Sequence, residues 1–127
     1  MKIASLIARL LLGLLFLVFG LNGFLHFIPM PPPTGLAGQF FTVISNSHYW
    51  IVIFGVQLIG GLLLLVNKYV PLALVLLGPV IVNILAFHAF MAPAGLPLAI
   101  IVAILWTIVA LRHKQNLAGI FTQSAAS

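Results

Sequence analysis

The chain of 127 residues contains no cysteine, no aspartate and no glutamate. The missing cysteine excludes disulfides, a thiolate nucleophile, iron–sulfur ligation and a Cys-x-x-Cys redox pair. The missing carboxylates exclude paired-carboxylate catalysis, carboxylate sites for calcium or magnesium, and the proton relays of ion pumps. The side chains that remain for acid–base or ligand chemistry near neutral pH are His26, His48, His88 and His113. We therefore do not expect the chain to be an enzyme on its own.

Charge of either sign is also scarce. Charged residues make up 4% of the chain and apolar residues 64%, and the mean hydropathy is +1.34, whereas a soluble domain is about 25% charged. A helix needs about 20 apolar residues to cross the hydrocarbon of a bilayer. Because lipid offers no hydrogen-bonding partner to the backbone, a spanning segment must be a helix or part of a closed barrel. The long Leu, Ile and Val runs predict an all-α integral membrane protein.

Four apolar runs are long enough to be membrane spans. They cover residues 3–27, 49–66, 72–90 and 98–111. The segments "NKYVP" and "MAPAGLP" separate the last three, because proline ends a helix or begins the next one. We expect the first run to be a retained helix and not a cleaved signal peptide, since no small-residue cleavage site follows it. The connection 28–48 is rich in aromatic residues and predicts a short interfacial helix.

The basic residues predict the orientation of these spans. Lys2 and Arg9 precede or begin the first span, Lys68 lies in the second connection, and Arg112 and Lys114 follow the last span. Positive residues favour the cytoplasmic side of a membrane. The pattern predicts a multi-pass membrane protein with both termini in the cytoplasm, and a loosely ordered cytoplasmic tail over residues 113–127.

Small residues predict where the helices pack, because small side chains let helices approach closely in lipid. Gly13 and Gly20 on the first span and Gly60 and Gly61 on the second favour such a close approach.

The fourth span carries a separate stripe of small residues, Ala99, Ala103, Thr107 and Ala110, at three- and four-residue spacing. We expect the fourth helix to pack through this stripe and to turn Trp106 toward lipid.

Five amide or imidazole side chains lie within the apolar runs, all between the midplane and the non-cytoplasmic side: Asn22, His26, Gln57, Asn83 and His88. Burying such a group without a partner costs several kcal/mol. Asn22 and His26 are four residues apart and share a helix face. Asn83 and His88 are five apart, so both point inward only if the helix is distorted near Pro79 or if His88 lies at its edge.

Three interpretations of this polar half remain open. In the first, Asn22, Gln57 and Asn83 form interhelical hydrogen bonds of about 0.6–2 kcal/mol each and have no further role. In the second, all five residues line a pocket for a quinone or a similar amphipathic ring, with a histidine on a carbonyl oxygen. In the third, His26 and His88 ligate a haem or a metal from different helices.

The motifs "RLLLGLLFLVFG", residues 9–20, and "QLIGGLLLLV", residues 57–66, resemble the DoxX family of small bacterial membrane proteins. The resemblance covers most of the chain and implies a domain over residues 1–112: a four-helix bundle that works beside redox proteins, in some members with a quinone. The chain departs from the family pattern at two positions. Gly23 stands where a lysine is expected and Gln57 where a glutamate is expected, which suits an accessory subunit without its own proton chemistry.

Three functions follow as hypotheses. The chain is a small subunit of a membrane oxidoreductase complex that supports quinone-linked electron transfer, a purely structural subunit of a larger membrane complex, or a two-histidine haem or small-molecule carrier. Each hypothesis has membrane lipids as surroundings, and we expect no nucleic-acid partner because the basic residues are scattered at the helix ends.

Overall fold

The computed structural model describes residues 2–123, and every regular element in that range is a helix. The chain forms α1 (Lys2–Leu25), α2 (Gly35–Ser47), α3 (Trp50–Val66), α4 (Val70–Phe90), α5 (Leu96–Arg112) and α6 (Lys114–Ala118), with single 3-10 turns at Pro93–Gly95 and Gly119–Phe121. The prediction of an all-α chain is confirmed for this range. The last four residues of the predicted tail lie outside the described residues.

Three of the helical segments are long and apolar enough to cross a membrane: α1, α4, and the continuous segment Pro93–Arg112 that contains α5. The second predicted span, residues 49–66, corresponds to α3, whose 17 residues alone measure about 26 Å. Helix α2 precedes it across a bend of 92°, and the two helices together are long and apolar enough for one span. Among residues 2–123 there are therefore three membrane-length helical segments, or four when the bent pair counts as one span.

Helices α1, α3, α4 and α5 contact one another in a closed order. Helix α1 packs against α3 and α5, and α4 packs against the same two helices. Neighbours run antiparallel: Gly13 of α1 lies beside Leu64 near the end of α3, and Gly23 lies beside Phe54 near its beginning. The short connections after α3 and after α4 place α3 beside α4 and α4 beside α5.

The basic residues lie together at one end of this helix set. The Arg9 guanidinium of α1 donates a hydrogen bond to the Leu64 carbonyl, which is one of the last carbonyls of α3 that the helix itself leaves unpaired. The positive charges of Arg9 and Arg112 both reach His113, just after α5. Lys68 occupies the connection between α3 and α4 at the same end. We refer to this end as the basic end.

Glycine allows the closest helix contact in the molecule, as the sequence predicted. A Cβ atom on Gly61 would lie 2.6 Å from the Leu17 nitrogen and 2.8 Å from the Gly13 oxygen, and one on Gly20 would lie 2.9 Å from the Leu58 nitrogen. Real Cβ atoms do not come so close to backbone atoms. The backbones of α1 and α3 are therefore in direct contact, which is possible because both helices carry glycine on the contact face.

Side chains from four helices complete the core on the basic side of this glycine contact. Its largest fully buried members are Leu12, Leu64, Leu74, Leu77 and Val109. Close packing of such side chains stabilises a helix set in lipid through dispersion contacts, because burial from water is not available there.

The first helix ends two residues earlier than its apolar run. Helix α1 stops at Leu25, and His26 adopts the left-handed region with a φ of 52°. The Asn22 side chain stabilises this exit, because its Oδ1 accepts a hydrogen bond of 2.8 Å from the Ile28 N–H. The expectation that Asn22 and His26 share a helix face was wrong, since His26 lies beyond the helix.

The orientation of α5 also differs from the prediction. The Trp106 indole does not face outward: its Nε1 donates a 3.0 Å hydrogen bond to the Leu74 carbonyl of α4. The ring fits beside Gly78, which offers no side chain. Of the predicted small-residue stripe, Ala99 is buried but Thr107 is exposed. The two other alanines of the stripe pack against the core, so α5 packs through most of the predicted stripe, and Trp106 packs inward as well.

The first connection contains the predicted short helix, α2. It ends at His48, which adopts a left-handed φ of 63°, and α3 begins two residues later at the 92° bend. Ala37 and Ile44 are its buried residues, while most of its other side chains are exposed. The start of the tail is also more regular than predicted, because α6 continues the chain helically after His113.

Candidate ligand cavity

A cavity of about 1170 Å³ lies at the end of the helix set opposite the basic end. Its walls come from the second half of α1, the first half of α3, the second half of α4 and the beginning of α5, with α2 across one side. All five polar residues predicted to form the site line this cavity: Asn22, His26, Gln57, Asn83 and His88. Ligand pockets in proteins have volumes of roughly 300–1,000 Å³, so the space is sufficient for an organic molecule.

Gln57 is the most buried of the five polar residues. It lies mid-way along α3, where its side chain is 7% exposed. Its amide makes no hydrogen bond to any residue in the range 2–123, and no side-chain polar atom in that range is both unpaired and fully enclosed. The Gln57 amide therefore opens into the cavity. Because its polar atoms remain accessible from the cavity, a bound polar group can pair with them.

Two asparagine side chains flank the cavity from opposite helices, and each is held by a backbone group of its own segment. Asn22 uses its Oδ1 to accept from the Ile28 N–H. Asn83 uses its Nδ2 to donate to the Pro79 carbonyl at 2.8 Å. Because an N–H can only donate and a carbonyl can only accept, these bonds fix which end of each amide remains free. Asn22 retains its Nδ2, and Asn83 retains its Oδ1.

His88 lies in the last turn of α4 against the 3-10 turn that follows. Its Nδ1 is 3.2 Å from the Ala92 carbonyl oxygen, so Nδ1 carries the hydrogen and Nε2 remains without a partner among residues 2–123. The imidazole rests on Gly95, where a Cβ atom would come within 2.3 Å of the ring. The sequence allowed two ways for Asn83 and His88 to face the same interior: a distortion of the helix near Pro79, or a position of His88 at the helix edge. The structure has the second arrangement, because α4 continues through Pro79 and His88 lies at its edge.

His26 reaches the cavity from the exit of α1 and not from the helix itself. It is exposed and makes no side-chain hydrogen bond within the described range, although its backbone N–H bonds to the Asn22 carbonyl at 2.8 Å. His26 and His88 are thus the two imidazoles on this cavity. Among residues 2–123 no group of three or more metal-ligating side chains occurs.

Aromatic rings attach α2 to the rim of the cavity. Phe40 and Phe41 of α2 both pack on Phe87 of α4, with ring centroids 5.4 Å and 5.5 Å apart, and Phe87 lies 5.1 Å from the His88 ring. The sequence predicted a short interfacial helix in this aromatic-rich connection, but it did not indicate this contact. Phe87 was missed because an aromatic residue in an apolar run carries no local signal of its partner.

The interhelical hydrogen bonds of the first interpretation are absent within residues 2–123. Asn22 and Asn83 bond to their own segments, and Gln57 has no hydrogen-bond partner in that range. Helix association through these three amides was therefore a wrong expectation. The polar groups face a shared space instead, which is the arrangement that a binding site requires.

No protein-family model matches this chain, and no curated protein and no solved structure matches it either.

Proposed function

We propose that the chain is a DoxX-like four-helix protein of the bacterial inner membrane that holds a quinone-type ring in its cavity, as a small subunit of a membrane redox complex. The observation that carries the proposal is the Gln57 amide, 7% exposed and without a hydrogen-bond partner among residues 2–123, on the wall of the cavity. A polar amide on a largely apolar wall, with its polar atoms accessible from the cavity, has a use when a ligand pairs with it.

The chemistry of the cavity walls favours a ring with polar substituents. Most of the lining is aliphatic or aromatic, including Phe16, Phe19 and Phe54, and a small set of amides and imidazoles interrupts it. Apolar walls take the face of a ring, and the few polar groups fix its orientation. A quinone has this character, and it reaches such a site from the bilayer in which it dissolves.

The orientation in the membrane follows from the basic end. Arg9, Lys68, Arg112 and the remaining lysines cluster there, so the positive-inside rule places this end in the cytoplasm and the cavity on the non-cytoplasmic side. Because the chain has no cysteine, a single introduced cysteine reports its own position. We expect Lys114→Cys to react with a membrane-impermeant thiol reagent only after the cell membrane is opened, and Ala94→Cys to react from outside in intact spheroplasts.

The quinone proposal is tested by extraction and by one substitution. We expect quinone to copurify with the protein in mild detergent, and Gln57→Leu to reduce the retained quinone about tenfold, because one buried hydrogen bond of about 1.4 kcal/mol is lost. The ligand-free Gln57→Leu protein should unfold at the same or a higher temperature than the native chain, since an unpaired amide has been removed. Loss of stability with unchanged quinone retention would contradict the proposal and favour a purely structural subunit.

Thr107→Val is the matched control. Thr107 also carries a polar side chain on a membrane-length helix, but its hydroxyl bonds to the Ala103 carbonyl of the same helix, and it does not line the cavity. We expect its quinone retention to equal that of the native chain.

The two-histidine carrier is a second candidate because His26 and His88 line the same cavity and the Nε2 of His88 is free for a ligand bond. An absorption spectrum distinguishes it. A Soret band in the purified protein that disappears in His88→Leu would favour haem over quinone.

A further inference from the structure

The walls of the cavity differ in whether their free hydrogen-bonding groups are donors or acceptors. On the α1 wall, Asn22 has committed its oxygen to the Ile28 N–H and offers its amide nitrogen as a donor. On the α4 wall, Asn83 has committed its nitrogen to the Pro79 carbonyl and offers its amide oxygen as an acceptor. The backbone partner determines both assignments. If the Asn22 amide were rotated by 180°, its NH2 would face the Ile28 N–H, and if the Asn83 amide were rotated, its carbonyl would face the Pro79 carbonyl.

His88 adds a second acceptor to the α4 wall. Its Nδ1 faces the Ala92 carbonyl, which can only accept, so the hydrogen of the neutral imidazole is on Nδ1 and Nε2 presents a lone pair. Gly95 keeps the ring in this position, because the turn backbone passes so close to the ring that no side chain would fit there. The α4 wall therefore offers two acceptors, Asn83 Oδ1 and His88 Nε2, and the Gln57 amide on the neighbouring α3 can donate or accept.

We propose that the cavity selects the hydroxyl-bearing, reduced form of its ring, a hydroquinone or other phenol, over the oxidised quinone. This inference rests on the proposed function and specifies the ligand state that the site prefers. A hydroquinone donates an O–H to the α4 wall and accepts from Asn22 with its other oxygen. A quinone carries only acceptors, so it pairs with Asn22 but leaves the acceptors of the α4 wall facing its own oxygen.

Selectivity of this kind is strong where the protein groups are buried, because the wrong ligand leaves them unpaired. Here Asn83 is exposed and His88 is partly buried, so water can replace part of the lost bonding. We therefore expect the hydroquinone to bind with a Kd about tenfold lower than that of the quinone, which is the effect of one additional hydrogen bond. A tenfold preference for the reduced form corresponds to a rise of about 30 mV in the two-electron potential of the bound ring.

The experiment compares two matched probe pairs on the full chain purified in detergent, all at the same pH. One pair is a decyl-substituted benzoquinone and its hydroquinone, kept reduced without oxygen. The other is para-octylphenol and its methyl ether. In the ether a methoxy group replaces the hydroxyl, so the O–H donor is lost, and the two compounds do not interconvert by oxidation or reduction. We expect the hydroquinone and the phenol to bind about tenfold tighter than the quinone and the ether.

His88→Phe tests the origin of the preference. The substitution keeps an aromatic ring beside Phe87 and Gly95 but removes the Nε2 acceptor. The affinity for the hydroquinone should therefore fall severalfold relative to the affinity for the quinone, which should stay constant. Gly95→Ala is the second variant, in case His88→Phe does not fold: its new Cβ would displace the imidazole, which lies within 2.3 Å of that position, and should lower the same ratio.

The possible results separate the two proposals. Equal binding of both members of each pair, or tighter binding of the quinone, overturns the selectivity and leaves the quinone site in place. A tenfold preference that persists in both variants overturns the assignment of the acceptor to His88. Failure of all four probes to bind contradicts the proposed function itself and the inference with it.

Discussion

At the basic end of the molecule, side chains fill the space between α1, α3, α4 and α5, whereas at the opposite end the same four helices enclose a cavity of about 1170 Å³. The fully buried leucines Leu12, Leu64, Leu74 and Leu77 belong to the filled end. The amide and imidazole side chains of the predicted site line the cavity. One end thus supplies the contacts that hold the helices together, and this allows the other end to remain open.

The comparison also explains why glycine and polar residues occupy different levels of the same helices. The Gly13–Gly61 contact joins the backbones of α1 and α3 within the filled end. Toward the cavity, Gly23 of α1 admits the Phe54 ring, so the two helices are separated there by an aromatic side chain. Separation of the helices at this level makes room for a ligand, and a close contact at the other level limits the cost in stability.

The largest effect is expected from separating α1 and α3 at the filled end. In Gly61→Ala the new methyl group would lie 2.6 Å from the Leu17 nitrogen and 2.8 Å from the Gly13 oxygen, and backbone atoms cannot rotate away. We expect a loss of several kcal/mol in the free energy of unfolding, measured by thermal or denaturant unfolding in detergent. Failure to accumulate in the membrane would be the extreme form of the same result.

Gly55→Ala provides the control on the same helix. No atom lies within 4 Å of the position that its Cβ would occupy, and alanine has a higher helix propensity than glycine by about 1 kcal/mol. We expect unchanged or slightly raised stability. Equal destabilisation by both substitutions would contradict the assignment of the close contact to Gly61.

A smaller loss of stability is expected from truncating single side chains, and it should differ between the filled end and the cavity. Leu77→Ala removes a side chain with 0% exposure from the filled end, and we expect a loss of about 2–5 kcal/mol, because the neighbours cannot close the new void. Ile53→Ala removes an aliphatic side chain that lines the cavity. Its loss only enlarges a space that exists already, so we expect a cost well below that of Leu77→Ala. Similar costs at both positions in unfolding experiments would contradict the division of the molecule into two ends.

Composition and hydropathy alone predicted the helices and most of their bounds, because a run such as 98–111 has few other stable forms in lipid. The end of α1 was not predictable in the same way. His26 continues the apolar run, and hydropathy does not show that the Asn22 side chain accepts from the Ile28 N–H where the helix ends at Leu25. Trp106 was assigned to lipid for a similar reason: its partner, the Leu74 carbonyl, lies 32 residues away in the chain.

The five site residues were predictable as a group because amide and imidazole side chains are rare in the apolar runs and all five fall in the same half of them. Their partners were not predictable. Periodicity cannot distinguish an amide that bonds to another helix from one that bonds to its own backbone, as Asn83 does with Pro79. Such a bond decides which atom of the amide faces the cavity, so the proposed selectivity could be inferred only from the structure.

The smallest expected effect concerns charge at the basic end. Burial lowers the pKa of His113 below its usual 6.5, and the nearby charges of Arg112 and Arg9 lower it further. Because the folded state holds this proton more weakly than the unfolded state, His113 contributes its full stability above pH 6.5, and the contribution is lost as the pH falls through the lowered pKa. We expect the unfolding temperature of the native chain to fall more steeply between about pH 7 and about pH 5 than that of His113→Gln, which has no proton to gain at this position. An identical pH dependence in the two proteins would contradict the assignment to His113. If this difference in pH dependence becomes smaller when Arg9→Gln is added to both proteins, part of the effect comes from the Arg9 guanidinium, which also donates to the end of α3.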